Sequence, residues 1–178
     1  CNSFLKNKSL KKPILLASLK SQTGLVSLKN EKFVGDLHVV TTPGNQSCDV
    51  VNETPIEDYI SSLLSKEMNG TWPLEALKAQ AIAARTYALH KIQSKQVSRK
   101  LGHNAFYDLE SSEKHQVGGT FFDTTKNTFS ATRGTKGEIL VSGKGYLTPI
   151  FFHAKCGGRT LRPEQVWSNS VDSYTNVD

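Results

Sequence analysis

What the chain lacks narrows the reading first. Its 178 residues hold no apolar run near the ~20 that a membrane-spanning helix needs. Runs such as Ile14-Leu15-Leu16-Ala17 are far too short for that role. Aromatics are modest, at 8%, and no basic stretch is interleaved with them, so nucleic acid is not an expected partner. No internal repeat is present. Acidic residues are scarce before residue 33, where Glu31 stands alone against Lys6, Lys8, Lys11, Lys12, Lys20, Lys29 and Lys32. This end carries much of the net charge of +6. Such a balance suits an anionic surface, including wall polymers or lipid headgroups, and equally a solvated arm.

The length is enough for one domain with a real core and short of two typical domains. Residues 1–32 read as a basic N-terminal arm or irregular leader, with a short strand at 24–28. Residues 33–178 read as the folded domain. Residues 33–41 alternate around Gly35 and predict a strand, then Pro43-Gly44-Asn45 turns the chain. Another strand is expected at 48–51, two helices follow, and a short helix at 128–132 precedes strands at 138–141 and 150–153. The layout is α+β, a single domain of mixed short strands with two adjacent helices carrying the site.

The first helix has a clear start and a clear stop. Thr54 can cap it, Pro55 fits its first turn and Glu57 can close a capping box. Asn69-Gly70 ends it. Ile56, Ile60, Leu63 and Glu67 follow at steps that share one face. A carboxyl group therefore stands where a fourth apolar residue is expected, near the negative end of the helix dipole. Burial and dipole would both raise its pKa, the condition a general acid needs. The plainer alternative is a helix-end Glu that turns to solvent or pairs with a lysine.

A second helix is expected from Pro73 to about Lys95. Its alanines favour helix and close packing. Lys78 and Arg85 share a face, as do Gln80 and Tyr87. Arg85 reads either as a surface charge with its stem on the protein or as a group turned into a cleft. Lys78 reads as a surface charge and Tyr87 as core.

At this point the sequence resembles a known family. Val51-Asn52-Glu53-Thr54-Pro55-Ile56-Glu57-Asp58-Tyr59-Ile60, Lys66-Glu67-Met68, Trp72-Pro73 and the string from Glu75 to Tyr87 resemble the stage II sporulation protein D family. Asp108 with His115-Gln116-Val117-Gly118-Gly119, Thr132-Arg133-Gly134 and Phe152-His153-Ala154-Lys155-Cys156-Gly157-Gly158-Arg159-Thr160 continue the resemblance in family order, as do Val166-Trp167 and the final Tyr174-Thr175-Asn176-Val177-Asp178. The resemblance runs from about residue 33 to 178 and stops abruptly, so a C-terminal portion is expected to be either absent or naturally short.

Members are peptidoglycan lytic transglycosylases, related by the same domain to amidase enhancers of the LytB type. The resemblance implies that Glu67 is the catalytic acid. It would cleave the bond between N-acetylmuramic acid and N-acetylglucosamine, with strands stripped of stem peptides as the implied preference and a 1,6-anhydro end as product. Attack by the sugar's own C6 hydroxyl is intramolecular, so positioning replaces a second carboxylate. Gln80, Arg85, Gln116 and His153 are candidates for gripping sugars, and Asp108 is a second carboxylate or a turn residue. The rival is a non-catalytic glycan-binding module or amidase enhancer, with a cell-wall amidase as partner. The substrate places the chain outside the cytoplasm, facing periplasm or wall.

The three cysteines leave readings open. Cys1 before Asn2-Ser3 looks like the lipid-bearing residue of a mature lipoprotein, or a chance start. Cys48 and Cys156 can pair in an oxidising compartment. His153-x-x-Cys156 can be half of a metal site, and a hydrolase using His103, His115, His153 and Cys156 is a third, weaker reading. Some family members bind zinc around residues 107–116, but Tyr107 and His115 stand here where those members have Cys. No metal or other cofactor is therefore expected.

Overall fold

The computed structural model describes residues 13–41, 47–100, 106–111, 116, 118–148, 150–152, 157–161 and 163–166, with the backbone alone at 97–100 and 163–164. The elements run β1 (Leu15–Leu19), β2 (Leu25–Leu28), β3 (Glu31–Val34), β4 (Asp36–Thr41), β5 (Cys48–Glu53), α1 (Ile56–Glu67), α2 (Leu74–Lys100), a 3₁₀ turn (Phe121–Asp123), α3 (Lys126–Gly134) and a one-turn α4 (Pro163–Val166). This is the α+β domain that the sequence predicts.

Strands β1, β4 and β5 form an antiparallel sheet in that order, and β2 pairs antiparallel with β3. On the outer face, Ser18 Oγ meets His38 Nδ1 at 2.9 Å, and His38 Nε2 meets Glu53 Oε2 at 2.9 Å. Side chains thus tie all three strands of the larger sheet together. The alternating run predicted at 33–41 is broken into two strands at Gly35, whose φ is +88°. Its N–H donates to the Gly24 carbonyl at 2.9 Å, and a Cβ at this position would run into the Glu53 carbonyl. Only glycine takes this backbone shape without strain, so the chain turns from one sheet into the other there.

The core lies between the helices. Ile60, Leu63 and Leu64 of α1 pack with Leu77, Ala81, Ala84 and Ala88 of α2 and Ala131 of α3. The small α2 residues let the helices approach closely, so the alanine run serves packing as well as propensity. Among the described residues, no helix is long and apolar enough to cross a membrane.

Four local expectations are corrected. Residues 15–19, read as part of an arm, are an edge strand paired with β4. Their Lys-rich neighbourhood hides a two-sided edge position, where Leu15 and Leu19 stay exposed. Thr54 is not the cap of α1; Pro55 occupies that position without a side-chain cap bond, and Glu57 turns inward instead of closing a box. The second helix runs on to Lys100. Residues 138–141 form no strand beyond the single Val141–Leu147 bridge, and residues 150–152 are irregular.

Candidate functional site

Three of α1's flanks are occupied by partners, and these fix what its fourth flank and its end can do. The first partner is α2. Arg85 lies 1% exposed and meets the Glu57 carboxylate in a two-pronged pair, Nε to Oε1 at 3.0 Å and Nη2 to Oε2 at 2.7 Å. Arg85 Nη1 also donates to the Glu138 carbonyl at 3.0 Å, and Nη2 donates to the Thr132 carbonyl at 3.3 Å. The Gly137 N–H donates to Glu57 Oε1 at 3.3 Å, and the Leu140 N–H donates to Thr86 Oγ1 at 2.9 Å. One buried, fully hydrogen-bonded charge pair therefore joins α1, α2 and the irregular segment after α3.

The second partner is the segment around residues 116–120. Tyr59 donates its hydroxyl to Gln116 Oε1 at 3.1 Å, and Gln116 Nε2 donates to the Ala84 carbonyl at 3.4 Å. Burial, with Tyr87 and Glu67 nearby adding repulsion, pushes the Tyr59 phenol well above its ordinary range. It stays a hydrogen-bond donor at any working pH. Gly119 sits so close to α1 that a Cβ there would lie 2.5 Å from the Ser62 carbonyl oxygen. Tyr59 and Gln116 also border a cavity of about 900 Å³ beneath β5, which Asn52, Tyr107 and Asp108 help to line.

The third partner is α3 with the 3₁₀ turn before it. Ser65 Oγ donates to Thr128 Oγ1 at 3.1 Å, and Lys66 pairs with Asp123 at 2.7 Å. Asn127 Nδ2 donates to the Gly70 carbonyl at 2.9 Å. Glu67, the last residue of α1, is exposed. It is not buried, unlike Ile60 and Leu63 on the same face. Trp72, 52% exposed, stands just beyond it on the turn into α2. The turn is tightened by Asn69, whose side chain accepts from the Thr71 N–H at 2.9 Å and whose carbonyl accepts from the Trp72 N–H at 3.0 Å.

Among the described residues, Glu67, Gln80, Arg85 and Gln116 differ in exposure. Arg85, expected as a candidate for gripping sugar, is inside the protein with its donors turned to protein acceptors. Gln116 is 2% exposed and bonded at both ends of its amide, and it positions Tyr59 at the edge of the cavity. Gln80 is half-buried on α2, and Asp108 borders the cavity. Glu67 does not line that cavity. His153, His103, His115, Cys156 and Cys1 lie outside the described residues. Cys48 is disulfide-bonded, with its partner also outside them. Tyr87 is core, as its spacing suggests.

Among the described residues, no group of three or more His, Cys, Asp or Glu side chains is gathered that could hold a metal ion. The Lys95 ammonium lies over the Tyr107 ring at 5.6 Å.

Sequence reasoning missed Glu57 as a structural residue. The available signal was its place on the same stripe as Ile60 and Leu64, the side that faces α2. An acid on a buried stripe calls for a buried base, and Arg85 is the one α2 offers.

The fold and this helix pair define a class, an α+β domain clamped by a buried carboxylate–guanidinium pair with a free carboxyl group at the helix end. The family model described as Stage II sporulation protein (SpoIID) matches residues 44–141, more than half of the chain, and the chain belongs to that family. It is 37% identical over 145 residues to an uncharacterized protein of Brachyspira hyodysenteriae, covering 82% of this chain and 37% of that one. It is 30% identical over 151 residues to the amidase enhancer of Bacillus subtilis, covering 85% and 19%. It is 29% identical over 141 residues to stage II sporulation protein D of Bacillus subtilis, covering 75% and 40%. The chain thus spans less than half the length of each of these curated relatives. No solved structure matches it.

Proposed function

We propose that this domain acts on the glycan strands of peptidoglycan, outside the cytoplasm, as a lytic transglycosylase with Glu67 as its single acid and base. The observation that carries the reading is the position of Glu67. It occupies the family's catalytic-acid motif and is open to solvent at the end of α1, where a long polymer can reach it. A bound strand would itself supply the water-poor cover in which a carboxyl group keeps its proton.

In the first half of the reaction Glu67 gives its proton to the glycosidic oxygen as the bond to the anomeric carbon breaks. In the second half the C6 hydroxyl oxygen of the same muramic acid bonds to that carbon. The hydroxyl proton returns to Glu67, and no water is consumed. The exposed Trp72 face beside Glu67 suits stacking on a sugar ring. No step uses a metal.

A second reading is favoured by the same exposure. An exposed carboxyl group also fits a glycan-binding module that assists a cell-wall amidase, in line with the amidase enhancer among the relatives. A lipid on Cys1 would hold either form beside the wall.

Digestion of purified, peptide-free glycan strands separates the two. Wild type is expected to yield 1,6-anhydro ends by mass spectrometry, and Glu67→Gln to lower their yield by at least ~10²-fold. Strand binding by wild type without any anhydro product would leave only the binding reading.

A further inference from the structure

Three phenylalanines are exposed on one patch of the molecule. Phe121 is 45%, Phe122 64% and Phe129 44% exposed. They come from the 3₁₀ turn and from α3, and together with Thr124, Thr125 and Lys126 they line a shallow hollow of about 380 Å³. Phe121 and Phe122 meet edge to face, with centroids 5.9 Å apart. Exposing three large rings on so small a structure is costly unless something covers them.

The rim of the hollow is cationic. The Lys32 ammonium lies 5.6 Å over the Phe122 ring, and the Arg133 guanidinium lies 5.1 Å over Phe129. Lys126 is exposed on the lining itself. The nearest carboxylate in the patch, Asp123, is already engaged. Its Oδ1 pairs with Lys66 and its Oδ2 accepts from the Thr120 N–H at 2.6 Å. Arg133 keeps only a loose contact with Asp58, at 3.7 Å. The excess charge facing outward is positive.

The patch is fastened to the end of α1 that carries Glu67. Lys66, next to Glu67, holds Asp123. Thr125 packs on Gly70, where an added Cβ would lie 2.9 Å from its Oγ1. Asn127 holds the Gly70 carbonyl. The turn that bears Glu67 and Trp72 therefore rests directly on the floor of the phenylalanine hollow.

We propose that this hollow is a subsite for an anionic glycan strand, taking sugar rings against Phe121, Phe122 and Phe129 and the lactyl carboxylates of peptide-free muramic acids against Lys32, Lys126 and Arg133. The inference rests on the peptidoglycan reading above and extends it to one side of Glu67. Ring faces stack on sugar C–H edges, hydroxyl-bearing Thr124 and Thr125 floor the hollow, and the rim charge matches a polymer that carries one carboxylate per repeat. The concave shape favours a ribbon lying in it. An insertion into a bilayer calls for rings on a protruding tip.

The test uses the intact chain and three probes by titration: peptide-free glycan strands, uncharged chitin oligosaccharides and phosphatidylglycerol vesicles. Phe122→Ala/Phe129→Ala is expected to weaken glycan-strand binding by about tenfold or more. Its melting temperature should stay near that of wild type, because both rings are already exposed. Lys32→Gln/Lys126→Gln is expected to weaken the strands but not the chitin oligosaccharides, with a shallower salt dependence than wild type. Strand affinity unchanged in the phenylalanine variant overturns the proposal. So does loss of vesicle binding alone, which would make the patch a lipid contact, and so does a wild type that binds no strand. A wild type that binds strands without cutting them, and loses them in the variant, sinks the enzymatic reading while the subsite stands.

Discussion

Glu57 and Glu67 are carboxylates on one helix, and their surroundings could hardly differ more. Glu57 sits in the first turn, turned inward, and accepts from Arg85 and from a backbone N–H. Glu67 ends the same helix in the open. The residues between them explain the difference. Ile60, Leu63 and Leu64 are sealed by α2 and α3, but α2 begins only after the turn at residues 68–73, so the cover runs out before Glu67. A helical stripe says which way a side chain points. It does not say whether the neighbouring element extends far enough to meet it.

The contrast can be broken at its buried end first. Arg85→Met leaves the Glu57 carboxylate inside the protein without its counter-charge, and should cost about 3–5 kcal/mol in urea unfolding. Glu57→Leu combined with Arg85→Met should recover part of that loss, because no lone charge remains. A loss of under about 1 kcal/mol for Arg85→Met would show that water reaches the pair. Next in size is Gly119→Ala. Its methyl group would press on the Ser62 carbonyl at 2.5 Å, at a cost of about 1–3 kcal/mol. Gly118→Ala meets only the Ser111 hydroxyl at 3.3 Å and should cost less.

The third effect is smaller and depends on pH. Burial pushes the Asp123 carboxyl up, but the Lys66 ammonium and two bonds from Thr120 outweigh it and hold the group below its ordinary value of 3.8. A carboxyl group lowered on folding stabilises the fold above its unfolded pKa, and that contribution fades as pH falls through the folded one. Lys66→Ala should therefore cost under ~1 kcal/mol at neutral pH, and the gap to wild type should close in acid below about pH 4. A gap that stays constant to pH 2 would mean that Lys66 acts through packing alone. The smallest stability effect belongs to the exposed end. Glu67→Gln should change unfolding free energy by no more than about 0.5 kcal/mol, whatever it does to glycan cleavage.

Much of the scaffold was legible in the residues. The Ala-rich second helix and the strand entering α1 follow from local chemistry and period, while α1 stops at Met68 in extended backbone, ahead of the glycine expected to end it. The role of Glu57 was not legible, because a capping box and a buried ion pair both begin with an acid in the first turn. What separates them is a base 28 residues away, on another helix. β1 was hidden because an edge strand buries little and needs no apolar stripe. The phenylalanine hollow was hidden too. Its rings sit at positions 121, 122 and 129, with no helical period between turn and helix, and only the packing of α3 on Gly70 gathers them.

Gly35 carries a consequence for anyone who would redesign this domain. The two sheets meet across a corner narrower than a methyl group, so their relative setting is fixed by something the chain leaves out. This one letter cannot be exchanged for a different residue without prying the smaller hairpin away from the larger sheet.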